Sequence, residues 1–234
     1  MGLNTLKPNI IINEDIAYFI GVLHSDGCIY KFKDKKEKFT RIRLILGVAL
    51  KSLPMAKKFQ EILEKYFNRK INIRKRSNKN LYLMQTSINK IYFIFKNWKK
   101  GRIPYEIKKN PSLFGAYLAG LIDGDGHIKL KKNKDRRLYQ LYISISDERK
   151  AIALKNLIKK FMKCGAHIYK YKKKNCYDTC FYITYKNLIF LEKYILPHLT
   201  IPYKTERLKN YAEMIRWAYR DSKFSVARAF LQHP

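Results

Sequence analysis

The chain has 234 residues, 47% of them hydrophobic, which is enough for one large or two small domains with real cores and too apolar for a disordered polymer. Lys and Arg number 50 against 18 Asp and Glu, a net charge of +32 spread along the whole chain, which repels itself unless a polyanion neutralises part of it; nucleic acid is the expected partner. No apolar stretch approaches the roughly 20 residues that span a bilayer and no secretion signal opens the chain, so a soluble intracellular protein is expected.

In chain order, an apolar helix is expected over 14–27, ending in the run Phe19-Ile20-Gly21-Val22-Leu23-His24-Ser25-Asp26-Gly27. Two strands follow, then an amphipathic helix over 55–67 with Met55, Phe59, Ile62, Leu63 and Phe67 at helical spacing. Segments 71–76 and 81–87 read as a hairpin, and a further helical segment leads to Ile103-Pro104-Tyr105. The order then repeats. A second apolar helix over 112–126 ends in Leu118-Ala119-Gly120-Leu121-Ile122-Asp123-Gly124-Asp125-Gly126, its amphipathic partner covers 151–162, strands fall at 166–172 and 181–185, and Ile201-Pro202-Tyr203 answers Ile103-Pro104-Tyr105. Asp26 and Asp125 lie 99 positions apart, and a repeat of that length divides the chain into halves 1–110 and 111–220. A tail over 221–234 is left, in which Phe224, Val226, Phe230 and Leu231 suggest packing.

Within the strands a period of two separates two faces. Arg41 and Arg43 oppose Ile42 and Leu44, and Arg74 and Arg76 oppose Ile73. Gln140, Tyr142 and Ser144 oppose Leu141, Ile143 and Ile145, and Lys170 and Lys172 oppose Tyr169 and Tyr171. The apolar face packs on helices, while the other has the chemistry for base edges and phosphates: Arg for guanine, Gln for adenine, Lys for the backbone. A merely solvated sheet face gives the same alternation. In the first strand, charge alone singles out Lys31 and Lys33, whereas the parity of Lys129 and Lys131 in the second half corresponds to Tyr30.

Each apolar helix ends on an acid. A carboxylate at a helix C-terminus faces the negative end of the macrodipole, at a cost of roughly 0.3–1 kcal/mol, and a bound cation would offset it. Two such helices side by side would bring two acids together, a repulsion relieved by a shared proton or a metal, and magnesium suits an all-oxygen site with retained waters. The small residues Gly21, Gly120, Gly115 and Ala119 would let the helix backbones approach closely. An EF-hand starting at Asp123 is excluded, because Ile128 and Lys134 occupy the places of its glycine and glutamate. Cys28, Cys164, Cys176 and Cys180 are too few and too irregular for a disulfide framework or a structural zinc site.

The paired run resembles the LAGLIDADG homing endonuclease family in its monomeric, two-motif form, over roughly residues 13–215. The resemblance implies an α+β fold, a pseudo-twofold repeat of αββαββα units with two antiparallel saddle-shaped sheets packed through the two motif helices. It implies a monomer that binds a long asymmetric double-stranded DNA target and hydrolyses one phosphodiester in each strand with two or three Mg2+ ions. Asp26 and Asp125 would be the metal-binding acids, with the backbone carbonyls of Ser25 and Gly124 as further ligands. Lys204 and Lys100 would support the attacking water in the second and first halves, and Asp147 would occupy the polar place where a strand meets the following helix. Tyr30, Lys129 and Lys131 would join the DNA-facing residues. Two features depart from the pattern: Leu50 with Lys51 stands where the second half has Asp147, and His24 stands in place of Asp123. An RNA maturase acting on an intron, and a DNA-binding regulator without catalysis, are the alternative readings on the same scaffold.

Overall fold

A computed structural model describes residues 10–33, 40–76, 79–87, 100–133, 136–145, 147–170 and 176–231, with backbone alone at 32–33, 40–41, 130–133, 136–140 and 221–231. The elements in chain order are α1 (Glu14–Ser25), β1 (Gly27–Lys33), β2 (Thr40–Ala49), α2 (Leu53–Phe67), β3 (Arg74–Arg76), β4 (Leu81–Ser87), α3 (Tyr105–Lys109), α4 (Pro111–Asp125), β5 (Gly126–Asn133), β6 (Arg136–Ile145), α5 (Glu148–Met162), β7 (Ala166–Lys170), β8 (Tyr177–Ile183), α6 (Tyr185–Phe190) and α7 (Pro202–Leu231). They build two antiparallel four-stranded sheets of identical order, β1-β2-β4-β3 and β5-β6-β8-β7. The fold is α+β.

The two motif helices sit at the centre. Each starts on an asparagine whose side chain accepts backbone N–H bonds of the first turn, Asn13 from Ile16 and Asn110 from Ser112 and Leu113. Each is apolar nearly all round and therefore buried nearly all round, over Ile16–Leu23 and Leu113–Asp123. Gly21 and Gly120 meet at the crossing. A Cβ on Gly21 would fall on the carbonyl oxygen of Tyr117, and one on Gly120 on that of Tyr18, so the crossing exists only because both positions are glycine. Gly115 differs from expectation, since it accommodates the Tyr194 backbone from the π-helical turn Leu191–Ile195 rather than the other motif helix.

Around this axis the amphipathic helices cover one face of each sheet. Met55, Ala56, Phe59, Ile62 and Leu63 of α2 and Ala151, Leu154, Leu157, Ile158 and Met162 of α5 are the buried stripes. Phe59 stacks on Phe19 with ring centroids 4.4 Å apart, and Phe161 on Phe114 at 5.0 Å, so each helix is tied to the motif helix of its own half.

Several expected boundaries move for local reasons. The helix expected from 55 begins at Leu53, with Pro54 in its first turn, where its missing N–H costs nothing. Of the strand expected over 71–76, only Arg74–Arg76 pairs. The last strand ends at Ile183 rather than Tyr185, because Thr184 and Asn187 form a reciprocal capping box that starts α6. The tail expected over 221–234 is, through Leu231, a continuation of α7. The helical segment expected before Ile103 lies, over 88–99, outside the described residues. No helix among the described residues is long and apolar enough to cross a membrane.

Candidate active site and nucleic-acid interface

The chain leaves each motif helix abruptly. Gly27 and Gly126 open the first strand of each sheet against the preceding turn, where a Cβ would strike Leu23 and Ile122 backbone atoms respectively. Gly126 has φ −70°, so glycine is there for space and not for a left-handed turn. The folding back leaves Asp26 and Asp125 at the rim between the sheets. Gly124 packs against Ser25, and a Cβ on it would lie 3.0 Å from Asp26 Oδ2, so the acid of one half sits against the helix end of the other.

Burial and proximity then set the protonation of the pair. Desolvation, aided by the charge of Asp125, raises the Asp26 carboxyl to about 7, while Lys204 pulls the other way. Desolvation also raises Asp125, again opposed by Lys204. The two carboxyls repel each other, and one member of the pair holds a proton near neutrality in the absence of a cation.

Lys204 is the buried cation of this site. It is 5% exposed, and its Nζ donates to the carbonyls of Ile122 at 2.6 Å, Asp123 at 2.8 Å and Gly124 at 3.2 Å, satisfying the last turn of α4 where the macrodipole is negative. Desolvation lowers its pKa to about 8 against the attraction of Asp123, Asp26 and Asp125. Part of the cation demanded by an acid at a helix end is thus an ammonium group. Lys204→Met is expected to raise both carboxyl pKa values further, moving the onset of any activity that needs the ionised pair to higher pH; a pH–rate profile that does not move contradicts this.

Asp123 has a different task. It is 1% exposed and accepts hydrogen bonds from the Tyr18 hydroxyl (2.8 Å), the Thr200 amide (2.9 Å) and the Thr200 hydroxyl (2.8 Å). It thereby anchors the strap that carries Lys204. At the equivalent place in the first half, His24 Nδ1 lies 3.1 Å from the Tyr117 hydroxyl. Burial, with Lys150 nearby, holds its pKa well below the usual value, so it is neutral.

Two other expected members of the site make local contacts. Asp147 is the N-cap of α5, accepting from the Arg149 and Lys150 amides and pairing with the Arg149 guanidinium at 3.2 Å. Lys100 is exposed on a turn whose next residue, Gly101 (φ +69°), packs on Arg149. Neither reaches the acid pair through a contact in the structure. Spacing alone could not tell them from a member of the site, because both sit at element ends where caps and turns also demand polar residues.

The open faces of the sheets follow the strand parity. Leu141, Ile143 and Ile145 are buried while Tyr142 and Ser144 are not, and Ile42, Leu44, Leu46 and Val48 alternate with Arg43. Tyr30 pairs with Arg43 across β1 and β2, and the guanidinium donates to the Tyr30 hydroxyl at 3.4 Å. This places Tyr30, not Lys31, on the open face, since Ile29 is the buried neighbour. Arg74 and Arg76 lie opposite Leu83 and Leu81, on the parity of Arg43 and of exposed Gln85. In the second sheet exposed Lys129 lies over the Tyr142 ring at 5.5 Å.

On β7 the expected phase is reversed. Ala166 and Lys170 pair with Phe181 and Tyr177, on the core side, whereas His167 and Tyr169 pair with Cys180 and Asp178, beside Tyr142 and Ser144. Lysine marks the wrong face because its position at the strand's end lets the long stem run past the core, over the Tyr177 ring at 5.8 Å. The Arg41, Lys131 and Gln140 side chains, and Lys172 altogether, lie outside the described residues. Residues that parity alone missed, Gln85, His167 and Tyr169, needed the sheet register to be found.

Two antiparallel four-stranded sheets flanking crossed helices that deliver a pair of acids match the LAGLIDADG homing endonuclease fold. Residues 118–218 match the model of the LAGLIDADG endonuclease family. A crystal structure of I-DmoI in complex with DNA and Ca is similar with TM-score 0.59 and 19% identity, over 84% of this chain and 97% of that one. A variant of I-SmaMI has TM-score 0.57 and 14% identity over 88% and 91%. The N-terminal LAGLIDADG domain of DUF199/WhiA has TM-score 0.52 and 16% identity over 79% and 85%. An uncharacterized protein of Methanocaldococcus jannaschii is 26% identical over 147 residues, 62% of this chain, which spans about half (52%) of that relative's length.

Proposed function

We propose that the protein is a site-specific endonuclease that binds a long, asymmetric double-stranded DNA and hydrolyses one phosphodiester in each strand with divalent metal. The observation that carries this reading is the meeting of Asp26 and Asp125, one from each half, at the rim between two basic, half-open sheets. The metal-bound DNA complexes of I-DmoI support it by likeness of fold.

The acid pair fits a hard cation. Both carboxyls are raised by burial, and a cation would return them to the ionised form. Among the described residues no group of three or more His, Cys, Asp or Glu gathers at one place, so the protein supplies two carboxylates, with the Ser25 and Gly124 carbonyls as further donors, and water and DNA phosphate complete the set. The Gly124 carbonyl already accepts from Lys204, with a second lone pair left. Bound there, Mg2+ supplies Lewis-acid stabilisation of the attacking and leaving oxygens. Asp26 and Asp125 would hold and orient it, and Lys204 fixes the α4 terminus and adds positive potential beside both acids. Tyr30, Arg43, Arg74, Arg76, Lys129, Tyr142 and Ser144, with Gln85, His167 and Tyr169, would face the duplex. One chain contains both halves of the site, which suits a monomer.

The test is selection from a randomised duplex library bound in Ca2+, followed by Mg2+. Recovery of one extended target that is then cut in both strands supports the proposal. Specific binding with no cutting in any divalent ion would leave a DNA-binding regulator instead. Because Asp26 must lose its proton for the pair to hold metal, cutting at limiting Mg2+ is expected to rise with pH through about 7; a rate flat from pH 6 to 8 under chemistry-limited conditions contradicts that assignment.

A further inference from the structure

Among the described residues Asp178 is the only acid that stands in a strand, while the other strand charges are Lys and Arg. It lies on the open face of the second sheet, paired with Ser144 across β6 and β8 and with Tyr169 across β7 and β8. A carboxylate in that place repels phosphate, so a surface that served only to hold the DNA backbone would do without it. At 5% exposure it is reached through its neighbours rather than directly. The neighbour it touches is Ser144, which is only half-buried and whose hydroxyl donates to Asp178 Oδ1 at 2.6 Å.

A serine hydroxyl has a single proton and turns to suit its partner. Here that proton is committed to a carboxylate, which only accepts, in a short charge-assisted bond. Ser144 therefore shows a ligand its lone pairs alone: it takes a bond from a donor and has none to give to an acceptor. Phosphate oxygens are thereby excluded as its partner. In the major groove the donors are the adenine N6 and cytosine N4 amines, whereas guanine O6 and N7 and thymine O4 accept. The register locates the contact, because β5 begins with Gly126 opposite Ile143, which sets Ser144 beside the turn that carries Asp125. The repeat supplies a contrast. A shift of 99 positions puts Ile45 in place of Ser144, and Ile45 pairs with exposed Gln85, whose amide both donates and accepts and so enforces no polarity.

We propose that Asp178 fixes the polarity of the Ser144 hydroxyl, so that Ser144 reads an amine-bearing base, adenine or cytosine, at one position near the cut under the second sheet and rejects guanine and thymine there. This rests on the DNA-binding reading above, and not on catalysis. Ser144 meets the base, and Asp178 is a positioning residue. The test is equilibrium binding in Ca2+ of the wild type, Ser144→Ala and Asp178→Asn to the selected duplex and to each of its single-base-pair variants. The expected result is one position at which the wild type favours adenine or cytosine on one strand by about tenfold. Ser144→Ala flattens the preference at that position alone. Asp178→Asn, whose amide can itself donate and so releases the hydroxyl proton, brings guanine and thymine there to within about twofold of the amine bases, with the preferences elsewhere kept. Ser144→Ala, at a half-buried position, carries the test even if Asp178→Asn does not fold. A guanine or thymine preference at the position that Ser144→Ala alters, no position altered by it, or an amine preference that a folded Asp178→Asn leaves intact overturns the proposal and leaves the DNA reading standing. A wild type that binds no duplex overturns both.

Discussion

Asp26→Asn and Asp125→Asn are each expected to abolish cutting of both strands, by roughly 10^3-fold or more, while sequence-specific DNA binding in the absence of metal survives. The size follows from the several kcal/mol that a metal contributes to developing charge. Loss in both strands from a single change follows from the geometry, since Asp26 sits against the other half's helix end and is raised by the charge of Asp125. Asp26→Asn carries a second, opposite effect on stability. The folded-state pKa of Asp26 is raised from 3.8 to about 7, so the folded protein holds this proton more tightly than the unfolded chain does. Stability from the group is therefore present at low pH and lost as pH rises through 7. Asparagine has no proton to lose. In metal-free buffer at pH 8 the variant is expected to be more stable than the wild type by roughly 2–4 kcal/mol, with the difference vanishing near pH 4. Paired urea melts at the two pH values measure it, and a variant less stable at pH 8 would contradict the buried, repelled carboxyl.

Gly120→Ala and Gly21→Ala are expected to cost about 3 kcal/mol or more and to lose cutting even at temperatures where the fold survives. Overpacking a well-filled core usually costs 1–3 kcal/mol because side chains can yield. Here the obstacle is the carbonyl of the opposite helix, Tyr18 for Gly120 and Tyr117 for Gly21, so the helices themselves must part. Their separation is what sets the distance between Asp26 and Asp125. Gly165→Ala is the control, since the nearest atom to its added Cβ is 3.8 Å away, and it should stay within about 0.5 kcal/mol of wild type. Wild-type stability and cutting in Gly120→Ala would mean that the crossing is not as tight as described.

The features legible in the sequence are those that repeat or alternate. The two glycine-bearing apolar helices, the acids 99 positions apart and the parity of β2 and β6 all appear in the fold where the residues place them. The α2 and α5 stripes are equally plain because a helix must bury a continuous apolar face. What was hidden depends on contacts between distant segments. The resemblance singles out Lys204 among 50 cations, but its bonds to the α4 carbonyls some 80 residues away appear only in the fold, as does the approach of Lys51 to Tyr203. Asp123, two places before Asp125, is turned inward by its bonds to Tyr18 and Thr200, contacts that a local reading of the motif does not contain. On β7 Tyr169 and Lys170 exchange faces because both residue types can straddle a core edge, so polarity there does not report direction. Lys100 and Asp147, which the resemblance implies, stand at element ends where turns and caps also demand polar residues.

Anomalous diffraction from a Mn2+-soaked complex with the selected duplex is the most direct test. Metal peaks within about 2.0–2.3 Å of carboxylate oxygens of both Asp26 and Asp125, next to a phosphate, are the predicted result. Peaks that contact neither acid, or acids turned away from the DNA with no metal between them, would contradict it.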